Sequence, residues 1–312
     1  MNYVTLYQVR QYLKLAATET ADDVLLARLI REVRQNIDTW CNRRFDVRQE
    51  ARAFDYPIKP LSGFGVHSAE YFVYQMNAVA HLSSGRLFVD DDLLQVTTLT
   101  NGNGTVIAAD KYVLEPANIY PKHAVILKRG GGVSWLPASD GTREQVISVA
   151  GLWGYHTRYG DQAWLSSLDT VQDNPLSAAA TTLNVQDADG LDAGGESQRF
   201  QAGQMLRIDS EFIDVLAVDN TTNQLTIARG VNGTTAAQHT QGTAIYVYKP
   251  MENIVRAARR WVKYVYRQKD VDVMDAQQII GTGIKITPAA MPADVRSLLP
   301  SPAGDRSGGS YL

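Results

Sequence analysis

The 312-residue chain has one cysteine, Cys41, so an intrachain disulfide is excluded and the composition fits a protein made in a reducing cytosol. Cys41 falls on the apolar spacing of a helix, which makes it a small packed residue rather than a nucleophile. No apolar run is long enough to cross a bilayer, so no membrane partner is expected. The opening Met1-Asn2-Tyr3-Val4-Thr5 lacks the basic and apolar regions of a secretory signal. Histidine is scarce: His67, His81, His123, His156 and His239 lie scattered, none at metal-ligand spacing, and no cysteine pair accompanies them. Excess charge of one sign is also missing. Thirty Lys and Arg against 33 Asp and Glu leave a formal charge of -3, which argues against wholesale coating of nucleic acid and makes any basic site local.

The common chemistries are missing as well. There is no Gly-x-Ser-x-Gly elbow, and Ser83-Ser84-Gly85 near His81 has ordinary turn composition. Gly130-Gly131-Gly132 lacks the Lys-Ser/Thr ending of a phosphate-binding loop and precedes no helix, so a hairpin connection is expected there. Asp187, Asp189, Gly190 and Glu196 match late positions of a calcium loop, but Val185 stands where the first carboxylate belongs. Asp90-Asp91-Asp92 has the composition of a solvated turn. No pair of carboxylates recommends itself for acid-base work. No catalytic, cofactor or metal residues are expected.

The strongest signal present is the stretch Pro250 to Lys269. Met251, Ile254, Val255, Ala258, Trp261, Val262 and Val265 recur at three- and four-residue steps, which predicts a long amphipathic helix opened by Pro250. Arg256, Arg259, Arg260, Lys263 and Arg267 fall on a polar arc beside that stripe. Such an arc is either a solvated face or a contact for an acidic partner or passing DNA. Near the start, Thr5 is positioned to cap a helix through Leu15. Thr20 and Asp23 have capping-box spacing ahead of a second stripe: Leu26, Leu29, Ile30, Val33, Ile37, Trp40 and Cys41, ending near Asn42. Neither long stripe can stay wet, so the early and late helices are expected to cover one another.

From Phe45 to Tyr155 the period changes to two. Runs such as Leu94 to Leu99, Thr105 to Ala108, Tyr112 to Leu114, Ala124 to Lys128 and Gln145 to Val149 predict a mostly antiparallel sheet. Tyr155 to Asn174 has no regular period. Strands are then expected near Thr182 to Val185, Met205 to Ile208, Phe212 to Val218, Gln224 to Ala228 and Ala244 to Tyr248, forming an inserted small barrel or sandwich. A short helix is expected over Asp270 to Gln278, followed by a Pro-, Gly- and Ser-rich tail. The fold class is α+β. Its expected parts are a helical core (1–50 with 249–280), an antiparallel β region (51–155), an inserted β domain (156–248) and an extended tail (281–312).

Four stretches, in this order, together resemble the head-tail connector or adaptor proteins of tailed bacteriophages. They are Ile37-Asp38-Thr39-Trp40-Cys41-Asn42-Arg43-Arg44-Phe45; Leu93 to Leu99 leading through an Asn-Gly turn to Tyr112-Val113-Leu114-Glu115-Pro116-Ala117-Asn118; Val149-Ala150-Gly151-Leu152-Trp153-Gly154-Tyr155; and Met291-Pro292-Ala293-Asp294-Val295-Arg296-Ser297-Leu298-Leu299. The likeness covers 1–155 and 249–300. The sequence departs from it between Trp153 and Pro250, where the extra β unit intervenes, and Phe64 to Arg86 is longer than the family needs. The extra unit, with Arg229-Gly230-Val231-Asn232-Gly233-Thr234 and His239, is similar to small β modules of phage structural proteins.

The resemblance implies a non-enzymatic virion protein, assembled in the host cytoplasm and located at the neck. It implies a ring, typically of twelve copies, beneath the portal protein, closing the filled capsid and offering a surface to the tail or a tail-completion protein. Double-stranded DNA would pass through without its sequence being read. Met291, Pro292, Val295, Leu298 and Leu299 would dock on the portal, with Val295, Leu298 and Leu299 buried only once a partner is present. A channel that must let DNA move should not bind it tightly, so the basic arc is expected to pair with acids such as Asp22 or Glu32 of a neighbouring subunit. Two other classes stay open. One is a tail or baseplate protein whose β module stacks a host glycan on Trp153, Trp164 or Tyr155; the other is a sequence-independent DNA-binding protein.

Overall fold

The structure is a computed structural model that describes residues 1–57, 85–269 and 291–302, with the short backbone pair 277–278 and 285–286. Its elements are mixed, α+β, with two six-stranded antiparallel sheets. Two compact units divide it: one joins Met1–Asp46 to Arg158–Gly304, and the other centres on Val47–Thr157.

In the first unit, α1 (Leu6–Leu13) starts at Thr5, whose side chain accepts Gln8 N while Gln8 reaches back to Thr5 N, a complete capping box. It stops at Leu13, two residues earlier than expected, capped by Lys14, whose backbone is left-handed (φ 60°). The second helix, α2 (Asp23–Cys41), buries Leu26, Leu29, Ile30, Val33, Ile37 and Cys41 and ends at a left-handed Asn42. The Thr20/Asp23 capping box does not form. Asp23 instead pairs with Arg10 of α1, and no side chain caps this helix.

Residues Tyr155 to Asn174 are not all irregular. They hold a one-turn helix, α3 (Tyr159–Gln162), and a strand, β7 (Trp164–Thr170). The strand has no readable alternation because its register shifts against its neighbour and Leu168 sits at φ 62° with its side chain in solvent. β8 (Thr182–Asn184), β9 (Met205–Ile208), β10 (Glu211–Asp219), β11 (Gln224–Ala228) and β12 (Ala244–Tyr248) complete a sheet in the order β7-β12-β9-β10-β11-β8. The sheet curls until its ends meet, with Gln172 N donating to Asn184 O at 3.0 Å. Leu183, Phe200, Leu206, Ile208, Ile213 and Val247 are among the residues that fill its interior. These strands share the helices' compact unit: Asn2 N donates to Gly203 O at 2.9 Å, and Tyr248 Oη to Phe45 O at 2.9 Å.

α4 (Glu252–Arg267) packs against both α1 and α2, and a single turn, α5 (Ala293–Arg296), lies on α4. Most of the helix expected at 270–278 lies outside the described residues. Its last two residues, Gln277–Gln278, pair as a strand with Lys285–Ile286. His67, His81 and Phe64 also lie outside them.

The second unit contains β1 (Arg48–Phe54), β2 (Arg86–Thr100), β3 (Val106–Ile107), β4 (Tyr112–Glu115), β5 (Lys122–Leu127) and β6 (Ile147–Trp153). The sheet order is β1-β6-β2-β5-β4, with β3 on β2. β2 is far longer than the run at Leu94 to Leu99: its first half pairs with β5 and its second with β6. The three acids expected in a turn therefore lie inside β2, where Arg52 pairs with Asp90 and Asp91, and Arg48 with Asp91. Gly151 has a packing reason, since a Cβ there would stand 2.1 Å from Gln95 O.

Candidate functional site: the basic helix and its docked tail

α4 separates its two faces cleanly. Ile254, Val255, Ala257, Ala258, Trp261 and Val262 are buried, and Glu252 in the first turn and Arg267 in the last both suit the helix dipole. The five basic candidates do not act as one patch. Arg256 and Arg267 are exposed and have no ion-pair partner among the described residues. Arg259 and Lys263 both lie over the Tyr12 ring of α1, with the guanidinium carbon 5.8 Å and the ammonium 4.8 Å from its centroid. Arg260 pairs with Asp294 of the tail.

Asp22, expected to meet this arc from a neighbouring subunit, is engaged within the chain, accepting from Tyr266 Oη at 2.6 Å and from Lys269. Those two donors hold its carboxyl below the usual range. Glu32 is exposed.

The tail residues correct an expectation. Val295 is fully buried and Leu299 is 9% exposed within the single chain, so no partner is needed to cover them; Met291, Pro292 and Leu298 stay half-buried. Four polar contacts accompany the apolar ones. Arg260 meets Asp294, Asn253 Nδ2 donates to Leu298 O at 3.0 Å, the Arg296 guanidinium lies 4.6 Å from the Trp40 ring centroid, and Cys41 Sγ lies 3.7 Å from Pro300 O. Burial, followed by the nearby Asp38 charge, pushes the Cys41 thiol up to about 11. The end of α2 and one side of α4 thus make a seat for 293–300. Trp40, Asn253 and Asp294 were not among the candidates from sequence; the apolar island at 291–300 was the available signal, and it did not say what the island touches.

Beside this seat, burial raises Asp38 to about 6, against a hydrogen bond from Tyr3 Oη and the charge of Arg34. In the barrel, Glu211 accepts from Arg229, Gly230 N, Ala237 N and His239, which fixes the 229–239 loop. His239 reaches Asp209 through its other ring nitrogen, 2.8 Å away. Of the calcium-like acids, Asp187 accepts Gly190 N and Glu196 accepts from the Lys249 ammonium at 2.7 Å, while the adjacent Asp192 accepts Gly194 N, Glu196 N and the same ammonium. Among the described residues, no three His, Cys, Asp or Glu side chains converge where they could hold a metal ion. Of the aromatics named for glycan stacking, Trp153 is buried against Phe54 with its indole N–H on Glu50 O, and Trp164 is covered by Arg207. Tyr155 is half-buried.

No protein-family model matches the sequence, and no curated protein matches it. Among the described residues no helix is long and apolar enough to cross a membrane.

Proposed function

We propose that the chain is a structural protein of a virion, acting by assembly and not by catalysis. Within that class it is a head-tail adaptor: a ring of copies beneath the portal that closes a DNA-filled capsid at its neck and gives the tail or a tail-completion protein a surface to attach to. In the finer architecture that goes with this reading, α1, α2 and α4 are the helical core and β7–β12 an inserted module. One observation carries it: the first and last of the four stretches that resemble adaptors meet in space, with Trp40 of α2 against Arg296, and Cys41 against Pro300 just past the last stretch. Arg256 and Arg267, exposed on the adjoining helix, supply cations for a neighbouring subunit or for the outline of the DNA conduit. Portal docking by Met291, Pro292 and Leu298 is compatible with the seated tail, whereas docking by Val295 and Leu299 requires it to leave the seat.

The test is electron microscopy of the purified protein, alone and mixed with portal rings of a phage that encodes it, together with sedimentation velocity. Rings, or added density under the portal, are expected. A monomer that leaves portal rings bare ends the proposal. Retention of DNA on a filter by that monomer at moderate salt would point to the DNA-binding class instead.

A further inference from the structure

We propose that the seat at the end of α2 and along α4 is an exchange site between copies of this chain, filled in the assembled state by the 293–300 segment of a neighbour. The inference rests on the ring reading and adds the contact that would hold neighbours together. The intrachain complex already identifies the occupant: the seat matches this segment through a fully buried Val295, a nearly buried Leu299, the Arg260–Asp294 pair and the Asn253 bond to Leu298 O. The same segment from a second copy offers identical contacts, so seating in cis and in trans differ only in connection, which is the physics of domain swapping. One turn of helix is too short to hold itself without the seat. The choice is then set by concentration and by any partner that holds the copies side by side.

Cys41 makes the test direct, because it is the only cysteine and faces Pro300 O. In Pro300→Cys, mild oxidation links the tail to whichever seat it occupies. Interchain disulfides running past dimer to a ladder are expected on a non-reducing gel of concentrated or assembled protein. Oligomers by sedimentation whose disulfides are all intrachain overturn the exchange while leaving the ring reading intact; a monomer at every concentration, with portal rings present as well as absent, overturns both.

A second measurement does not depend on disulfide geometry. Arg260→Asp and Asp294→Arg each mismatch the seat in cis, but mixed together they restore an Arg–Asp pair at both exchanged seats. Mixing should raise the assembled fraction a few-fold over either variant alone. A mixture that sediments as the sum of its parts overturns the exchange.

Discussion

Glu211 grips Arg229 with both oxygens, Nε to Oε1 and Nη2 to Oε2 each at 2.7 Å, and both side chains are buried. Burial alone would raise this carboxyl, but the Arg229 guanidinium, two backbone N–H groups and His239 outweigh it and hold the group at about 2, from an ordinary 4.5. The folded state therefore keeps the carboxylate ionised where the unfolded chain would protonate it. The stability it contributes is full above about pH 4.5 and is lost as pH falls toward 2, roughly 3 kcal/mol in all. Glu211→Gln should cost on the order of 3 kcal/mol at neutral pH, because it leaves Arg229 buried without its charge partner. It should also flatten the acid limb of a urea-denaturation series. An unchanged acid limb would show that the loop is held by something else.

Asp38 has the opposite sign. Its folded value of about 6 lies above the ordinary 3.8, so between those values the folded state holds a proton that the unfolded chain has released. Stability should fall as pH rises through that window. Asp38→Asn keeps an oxygen for the Tyr3 hydroxyl and removes a half-buried charge. It should gain on the order of 1–3 kcal/mol at pH 7.5 and little at pH 4, by urea denaturation at the two values. Equal effects at both would exclude the titration of this group as the cause.

The seated tail predicts a reactivity change at Cys41. The thiol is fully buried and its value is about 11, so a thiol reagent at pH 8 should label the native protein slowly. Val295→Asp places a charge in an apolar slot and should unseat the tail, raising the labelling rate tenfold or more while the far-ultraviolet circular dichroism stays unchanged. Equal rates in the two proteins would mean that the tail is not what shields Cys41.

Local signals made much of the fold legible. β9, β11 and β12 fall on the predicted bounds because they are short apolar, β-branched and aromatic runs bounded by turns, and α4 follows from its 3.6-residue stripe. β7 was hidden by the left-handed Leu168, and the length of β2 by the acids at 90–92, of which Asp90 and Asp91 are met by Arg48 and Arg52 of another strand. The α2 cap is illegible in sequence for a related reason: the donors that engage Asp22 and Asp23, which are Arg10, Tyr266 and Lys269, arrive from α1, from α4 and from just beyond α4. The site shows the same limit. Periodicity placed the basic residues on one arc, but it could not separate Arg260, tied to Asp294 by a contact distant in sequence, from Arg256 and Arg267, which stay exposed.

Gly151 belongs to a stretch on which the adaptor resemblance rests, and its reason is steric. A Cβ would overlap the Gln95 carbonyl, a backbone atom that cannot rotate away. Gly151→Ala should therefore cost about 2–4 kcal/mol by chemical denaturation, through separation of β6 from β2. A cost below about 0.5 kcal/mol would show that the two strands can part slightly without loss.

The division of the basic arc decides which charge reversals report on assembly. Arg260→Glu would disturb the tail, and Arg259→Glu would remove a cation from the face of Tyr12, so neither isolates a contact between copies. Arg256 and Arg267 touch no acid among the described residues, and reversing both should leave monomer stability within about 0.5 kcal/mol. If these cations meet acids of a neighbouring copy, Arg256→Glu with Arg267→Glu should weaken self-association several-fold in sedimentation at low salt, and the difference should shrink as salt screens the contact. Rings that form as before but retain DNA less well would place both side chains on the conduit and remove them from the subunit interface.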